Sequence, residues 1–286
     1  MRLRDVFSRL SLLALAALLA NCGGAGGTLT PTAPANHTRT AMLARNPFAA
    51  PPSGFAGTRA AFQHSLVCDN GMLIANYAKT YGITTIFVPV GGDDIVSLLA
   101  NNPTTVKNLN AMSAVAKVYM VTGDVSWLSS PTKVPSDVPS LVKIAQMYPQ
   151  VAGVLYSVDP EASSSWNSSK RQALLQQYFT LIQTLLAVPG RSAFSQIFFL
   201  AHPDFATVKY GGQQASPTVL SQLQKPAGIT GTVMIVPGNS ESTQLANVST
   251  ALPQLSKPFW IEASTSKYGG QNYNGVTPAY LQSNLS

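Results

Sequence analysis

Val151-Ala152-Gly153-Val154-Leu155-Tyr156-Ser157-Val158 runs straight into Asp159-Pro160-Glu161. No strongly polar residue interrupts the run before Ser157. A strand with one wet face alternates apolar and polar side chains, whereas a strand covered on both faces does not. The stretch therefore reads as an interior strand of a parallel sheet with helices on its faces. Similar runs recur at Ile83–Val90, Lys117–Val121, Gln196–Ala201, Thr232–Val236 and Pro258–Glu262, and Arg59–His64 is a weaker first member.

Amphipathic segments with recognisable ends fill the gaps. Asp69 or Asn70 opens a helix carrying Leu73, Tyr77 and Tyr81, stopped by Gly82. Thr104 or Thr105 opens one with Val106, Leu109, Met112 and Val115, and Ser136 opens one with Leu141, Ile144 and Tyr148. The longest starts at Ser168 or Ser169 and places Leu174, Leu175, Tyr178, Phe179, Ile182 and Leu186 on one face. Ser216-Pro217 opens another, and Ser240 one with Leu245, Val248 and Leu252. Strand, helix, strand, repeated without a long linker, predicts an α/β fold over residues 55–286. The predicted architecture is a TIM-type (β/α) barrel of seven or eight strands, closed with seven or left incomplete, because no eighth strand is evident after Glu262. An open doubly wound parallel sheet is the alternative.

Composition narrows the function. The 286 residues are 45% hydrophobic and only 10% charged, which excludes a disordered chain and a coiled coil. The net charge of +7 is spread thinly and never clusters with aromatics, so nucleic acid is not an expected partner. Two cysteines exclude a disulfide scaffold.

The first 22 residues read as an export signal. Arg2, Arg4 and Arg9 precede the apolar stretch Leu10–Ala20, which is too short for a permanent span. Its end, Leu19-Ala20-Asn21-Cys22, resembles the bacterial lipobox, although Asn21 departs from the small residue usual before the cysteine. That resemblance implies lipidation of Cys22, a membrane partner through the lipid anchor, and a place in the cell envelope. An ordinary cleaved signal, an uncleaved anchor, and a Cys22–Cys68 disulfide stay open. Residues 23–54, rich in Gly, Ala, Pro and Thr, read as a flexible tether.

The acids carry the chemistry. The chain has 11 Asp and Glu in all, and seven fall at or just past predicted strand C-termini: Asp93, Asp94, Asp124, Asp159, Glu161, Asp204 and Glu262. In a parallel (β/α) fold those ends converge on one mouth. For Asp93, Asp94 and Asp124 helix capping is the preferred reading. For Asp159, Glu161 and Glu262 it is chemistry. Asp159 and Glu161 are two apart, so in extended chain both face one side, and such a pair splits into one raised and one ordinary pKa. Glu262 ends an apolar strand, with Trp260 two residues before it on the same side.

The order of these acids resembles that of the retaining glycoside hydrolases of the large (β/α)-barrel clan. The resemblance implies that Glu161 protonates the glycosidic oxygen, that Glu262 attacks the anomeric carbon, and that Asp159 tunes Glu161. The sequence departs from that family in having Pro160 where an Asn normally precedes the acid. Asp159 and Glu161 also resemble the Asp-x-Glu ending of the chitinase-like motif, whose earlier aspartates are replaced by Val154 and Ser157.

Trp127, Trp166, Trp260 and Tyr268 are the rings placed to stack on sugar faces, against ordinary loop packing as the alternative. His202-Pro203-Asp204 ends the fifth strand and reads as substrate hydrogen bonding, as a structural histidine or, with Asp159 or Glu161, as a metal site. No cofactor is expected, since nucleotide and serine-hydrolase motifs are absent. The expected function is hydrolysis of a poly- or oligosaccharide. The alternatives are a non-catalytic carbohydrate-binding lipoprotein on the same scaffold and a metal-dependent phosphoesterase or deacetylase.

Overall fold

The computed structural model describes residues 59–62, 66, 70–80, 82–235 and 248–262. The leader, Cys22, the tether, His64, Cys68 and Tyr268 lie outside the described residues.

Seven strands form one sheet. They are β1 (Arg59–Phe62), β2 (Ile83–Pro89), β3 (Lys117–Thr122), β4 (Val151–Tyr156), β5 (Gln196–Ala201), β6 (Gly231–Ile235) and β7 (Phe259–Glu262). Every neighbouring pair is parallel, and the spatial order follows the chain order from β1 to β7. A doubly wound sheet reverses its strand order at a switch point, and this one does not. The order is that of a barrel wall. Among the described residues no pairing between β7 and β1 is present.

The helices are α1 (Gly71–Thr80), α2 (Gly92–Leu99), α3 (Pro103–Ser113), α4 (Asp137–Met147), α5 (Arg171–Leu186) and α6 (Val219–Leu223). Their ends are chemically legible. Asn102 accepts from the backbone N–H groups of Thr104 and Thr105, with Pro103 at the first helical position of α3. Asp94 is buried and closes α2, its Oδ2 accepting from Gly91 N at 3.1 Å and its Oδ1 from Leu66 N at 3.0 Å. Asp124 caps a 3₁₀ turn through Ser126 N at 2.7 Å. Two of the three acids read as caps therefore are caps. In α5 the buried stripe is Leu174, Leu175, Tyr178, Phe179, Leu181, Ile182 and Leu185.

One helix face differs from the pattern in the sequence. Leu73 and Tyr77 of α1 are 67% and 44% exposed, and Gly71, Ala75 and Ala78 are buried instead. The cause is close approach. A Cβ on Gly71 would lie 2.4 Å from Asn108 Cα, and Gly71 N donates to Asn108 Oδ1 at 3.1 Å. The helix docks against α3 by its small residues, and its larger ones turn outward.

Strand periodicity sorts the apolar runs into two layers. Val154, Tyr156, Phe199 and Met234 face the helices. Phe87, Tyr119, Val121, Leu155, Phe198 and Val233 form a separate cluster on the other face, with Trp260 packed against it. Both faces are thus dry, which explains the unbroken hydrophobicity of β4. Gly153 makes this inner layer possible. It sits between Tyr119 and Gln196 in the register, and its Cβ would meet Gln196 O at 2.0 Å. Across the gap, Tyr119 and Phe198 meet edge-to-face at 5.4 Å, and the Tyr119 hydroxyl donates to Gln196 Oε1.

Curvature follows from one further contact. Trp260 on β7 and Phe87 on β2 meet edge-to-face with ring centroids 6.2 Å apart. Along the ladder those strands are five positions apart. A flat sheet would hold them about 24 Å apart at ~4.8 Å per strand, so the sheet curls and fills its concave side with side chains.

Candidate functional site

β4 and β5 are neighbours and end in the same device: a polar residue, a proline and an acid. On β4 it is Asp159-Pro160-Glu161, and on β5 it is His202-Pro203-Asp204. Each proline begins a 3₁₀ turn, Pro160–Ala162 in one case and Pro203–Ala206 in the other. Proline has no N–H to lose and a φ already suited to such a turn. Asp159 caps its turn by accepting from Glu161 N at 2.8 Å. The extended conformation expected at Asp159-Pro160-Glu161 is therefore replaced by a turn.

These turns bring Asp159, Glu161, His202 and Asp204 together. His202 Nε2 lies 3.1 Å from Asp159 Oδ1, and His202 Nδ1 lies 3.4 Å from Glu161 Oε2. The side chain of His202 is 8% exposed, against 29% for Asp159 and 21% for Glu161. Both imidazole nitrogens are buried, and neither makes an aligned hydrogen bond at these distances. Phe205 lies under the imidazole at 5.7 Å and also packs on Trp166 and Tyr178, giving the cluster an aromatic floor. The Tyr178 hydroxyl donates to Leu200 O at 3.0 Å and ties α5 to the end of β5.

The carboxyl groups divide as paired acids do in a confined space. Burial raises the pKa of Glu161, the Asp204 carboxyl raises it further by hydrogen bonding and charge, and the Asp159 charge adds to this. Against the opposing charge of Arg171 the result is about 9. Glu161 Oε1 and Asp204 Oδ1 are both buried without a hydrogen-bond partner, which is the desolvation that favours the protonated form of Glu161. Burial also pushes Asp159 upward, but the His202 contact and the N–H groups of Glu161 and Ala162 outweigh it and leave the group below its ordinary value. At neutral pH the site presents a neutral acid beside an ionised carboxylate.

The remaining residues singled out in the sequence take different places. Trp166 borders the cluster, with the Arg171 guanidinium 5.7 Å from its ring centre. Trp127 is half-buried in the 3₁₀ turn Val125–Ser129, packed on the helix-side layer. Trp260 packs on the inner cluster against Phe87. Glu262 pairs with Ile235 through the backbone. Continuing the ladder registers puts Asp159, His202, Ile235 and Glu262 in one row across the sheet. The Glu262 side chain lies outside the described residues. Among the described residues, no three His, Cys, Asp or Glu side chains are placed to hold a metal ion.

Arg171 and Tyr178 are members of the site that the sequence pattern does not single out. Arg171 has a signal: with Lys170 it puts two cations at the start of a 16-residue helix, the end that disfavours them, opposite the two acidic turns. Tyr178 has none, because its spacing is that of any core residue.

No protein-family model matches the chain, and no curated protein matches it in sequence. Solved structures similar to it include a monomeric dihydrodipicolinate synthase variant, at TM-score 0.37 and 11% identity, over 72% of this chain and 62% of that one. A truncated 3-deoxy-D-arabino-heptulosonate 7-phosphate synthase from Thermotoga maritima gives 0.39 and 9%, over 80% and 83%. The oxygenating constituent of a 3,6-diketocamphane monooxygenase from Pseudomonas putida gives 0.31 and 10%, over 67% and 60%. The chain spans less than two thirds of the first of these. Likenesses this distant transfer no activity, and the barrel assignment rests on the strand order and the Trp260–Phe87 contact.

Proposed function

We propose that the chain hydrolyses glycosidic bonds, with Glu161 as the proton donor. The observation that carries this reading is the state of Glu161: a partly exposed carboxyl at the end of β4, held protonated to about pH 9 by burial and by Asp204. An acid that keeps its proton at neutral pH, yet stays reachable, suits protonation of a leaving oxygen. Asp159 remains ionised and holds His202 in place. Glu262, in the same backbone row as Asp159 and His202, is the second carboxylate. A retaining mechanism asks for a carboxyl separation of about 5–5.5 Å. The leader ending in Cys22 supports action on a polysaccharide at the cell envelope, from a lipid anchor.

A second reading has one observation in its favour. Asp159 already caps a turn and faces His202, so part of the cluster is satisfied internally, as in a non-catalytic carbohydrate-binding protein. A panel of oligosaccharides tested with the native protein and with Glu161→Gln separates the two. The hydrolase reading expects turnover by the native protein and a loss of about 10²–10⁴-fold in the variant. Equal turnover by both removes Glu161 from the mechanism, and binding without turnover by the native protein establishes the second reading. Repeating the assay with a chelator tests the metal-dependent alternative directly.

A further inference from the structure

Beside the acid cluster lies a basic cleft. About 370 Å³ of space is lined by Arg171, Gln172, Thr207, Val208, Lys209 and Gly212. Small-molecule sites span about 300–1,000 Å³, so the cleft suits a small ligand or one unit of a larger one. Its wall is pinned in place. Gln172 Nε2 donates to Lys209 O at 2.7 Å, and Gly211 N donates to Gln172 Oε1 at 2.9 Å. Gly211 and Gly212, at φ 90° and 74°, bend the loop through a left-handed conformation that other residues resist. Lys209 is bridged to Thr218 behind it.

Neither cation of the cleft is neutralised by an ion pair among the described residues. The ion pairs there both belong to His202, which leaves Arg171 and Lys209 without a carboxylate partner. Arg171 Nε is buried and has no hydrogen-bond acceptor. A buried N–H without an acceptor is costly, which marks Arg171 as a side chain not fully satisfied by the protein itself. A neutral sugar hydroxyl would bring no counter-charge to Lys209, and Arg171 meets only the more distant acids and the Trp166 ring. A planar carboxylate or a sulfate answers the donors and the charges together.

We infer that this cleft binds an anionic substituent on the substrate, a carboxylate or sulfate carried by a sugar ring, with Arg171 and Lys209 as the recognising groups. The inference rests on the reading of the neighbouring cluster as a carbohydrate site. Arg171 joins the two, since it lines the cleft and its charge also acts on Glu161.

The test is calorimetric titration of the purified protein with three probes of equal length: oligogalacturonate, a sulfated galactan oligosaccharide, and an uncharged oligosaccharide. Binding is measured in the Glu161→Gln background so that probes are not consumed. The expected result is at least about tenfold tighter binding of one or both anionic probes than of the neutral one, weakening with salt. Which anionic probe binds distinguishes carboxylate from sulfate. Lys209→Glu should lose about tenfold or more for the anionic probe and nothing for the neutral one. Lys209→Gln repeats the test if the glutamate variant unfolds. Equal affinity for all probes, absence of binding, or insensitivity to Lys209 overturns the inference. The two readings fail separately. Turnover of neutral glycans that depends on Glu161, without preference for acidic ones, sinks the cleft and spares the hydrolase. Anionic binding that depends on Lys209, without turnover of any glycan, does the reverse.

Discussion

His202 Nε2 stands 3.1 Å from Asp159 Oδ1, which joins the imidazole at the end of β5 to the carboxylate at the end of β4. The same ring turns its other nitrogen toward Glu161 at 3.4 Å. One histidine therefore faces two acids in opposite states, Asp159 held below its ordinary pKa and Glu161 pushed up to about 9. The separation of states follows from what each acid meets. Asp159 has the histidine and two backbone N–H groups, and Glu161 has its burial first and then neighbouring carboxyls.

On the proposed role of Glu161 as proton donor, its state sets the pH profile. A proton donor works while protonated, so kcat/KM should hold through neutral pH and fall as pH rises through about 9. Asp204→Asn removes the neighbouring carboxyl that raises Glu161, so the alkaline fall should move toward neutral pH while the residual burial keeps it above the ordinary glutamate range. A pH–rate profile of the native protein and of this variant checks both statements.

Stability should carry the same signature. Glu161 binds its proton more tightly in the folded state, at about 9 against 4.5 when free. Its contribution is complete below about 4.5 and is lost as pH rises toward about 9. Asp159 acts in the opposite sense, contributing above its unfolded value of about 3.8 and losing that contribution as pH falls through its lower folded value. Urea unfolding across the pH range should show the alkaline decline in the native protein, a flatter curve in Glu161→Gln, and a reduced acid decline in Asp159→Asn.

Removal of His202 leaves two carboxyls facing a buried gap. His202→Ala should destabilise the fold by about 1–3 kcal/mol, read as a lower urea midpoint with an unchanged slope. It should also raise the pKa of Asp159, because the contact that holds it down is gone.

Two glycines give a matched pair for the packing. Gly153→Ala would drive a Cβ to 2.0 Å from Gln196 O, a backbone atom that cannot swing away. The expected loss is about 1–3 kcal/mol or outright insolubility. Gly92→Ala, in the first turn of α2, would meet nothing within 4 Å and should be neutral or stabilising by up to about 1 kcal/mol. Thermal unfolding of the two variants side by side checks the contrast.

Much of the architecture is legible in the amino-acid pattern itself. All seven strands fall where the apolar runs place them, with shifts of one or two residues at the ends. The caps at Asp94 and Asp124 are legible because a helix or turn leaves its first N–H groups open, and a short acid is a good acceptor for them. The face of α1 is not, because helical periodicity finds large apolar residues, while the true contact runs through Gly71. Close backbone approach leaves only a small residue in the sequence, which is a weak signal on its own.

Sequence alone determined the order of the layers and the location of the acids, because both follow from local rules: strand period, turn chemistry and the rarity of charge. Tertiary structure decided which acids meet. His202 reaches Asp159 and Glu161 only because β4 and β5 are paired at a register that aligns their two proline turns. It also decided the states of those acids, since desolvation and the approach of neighbouring carboxyls are properties of the assembled mouth and not of any residue in it.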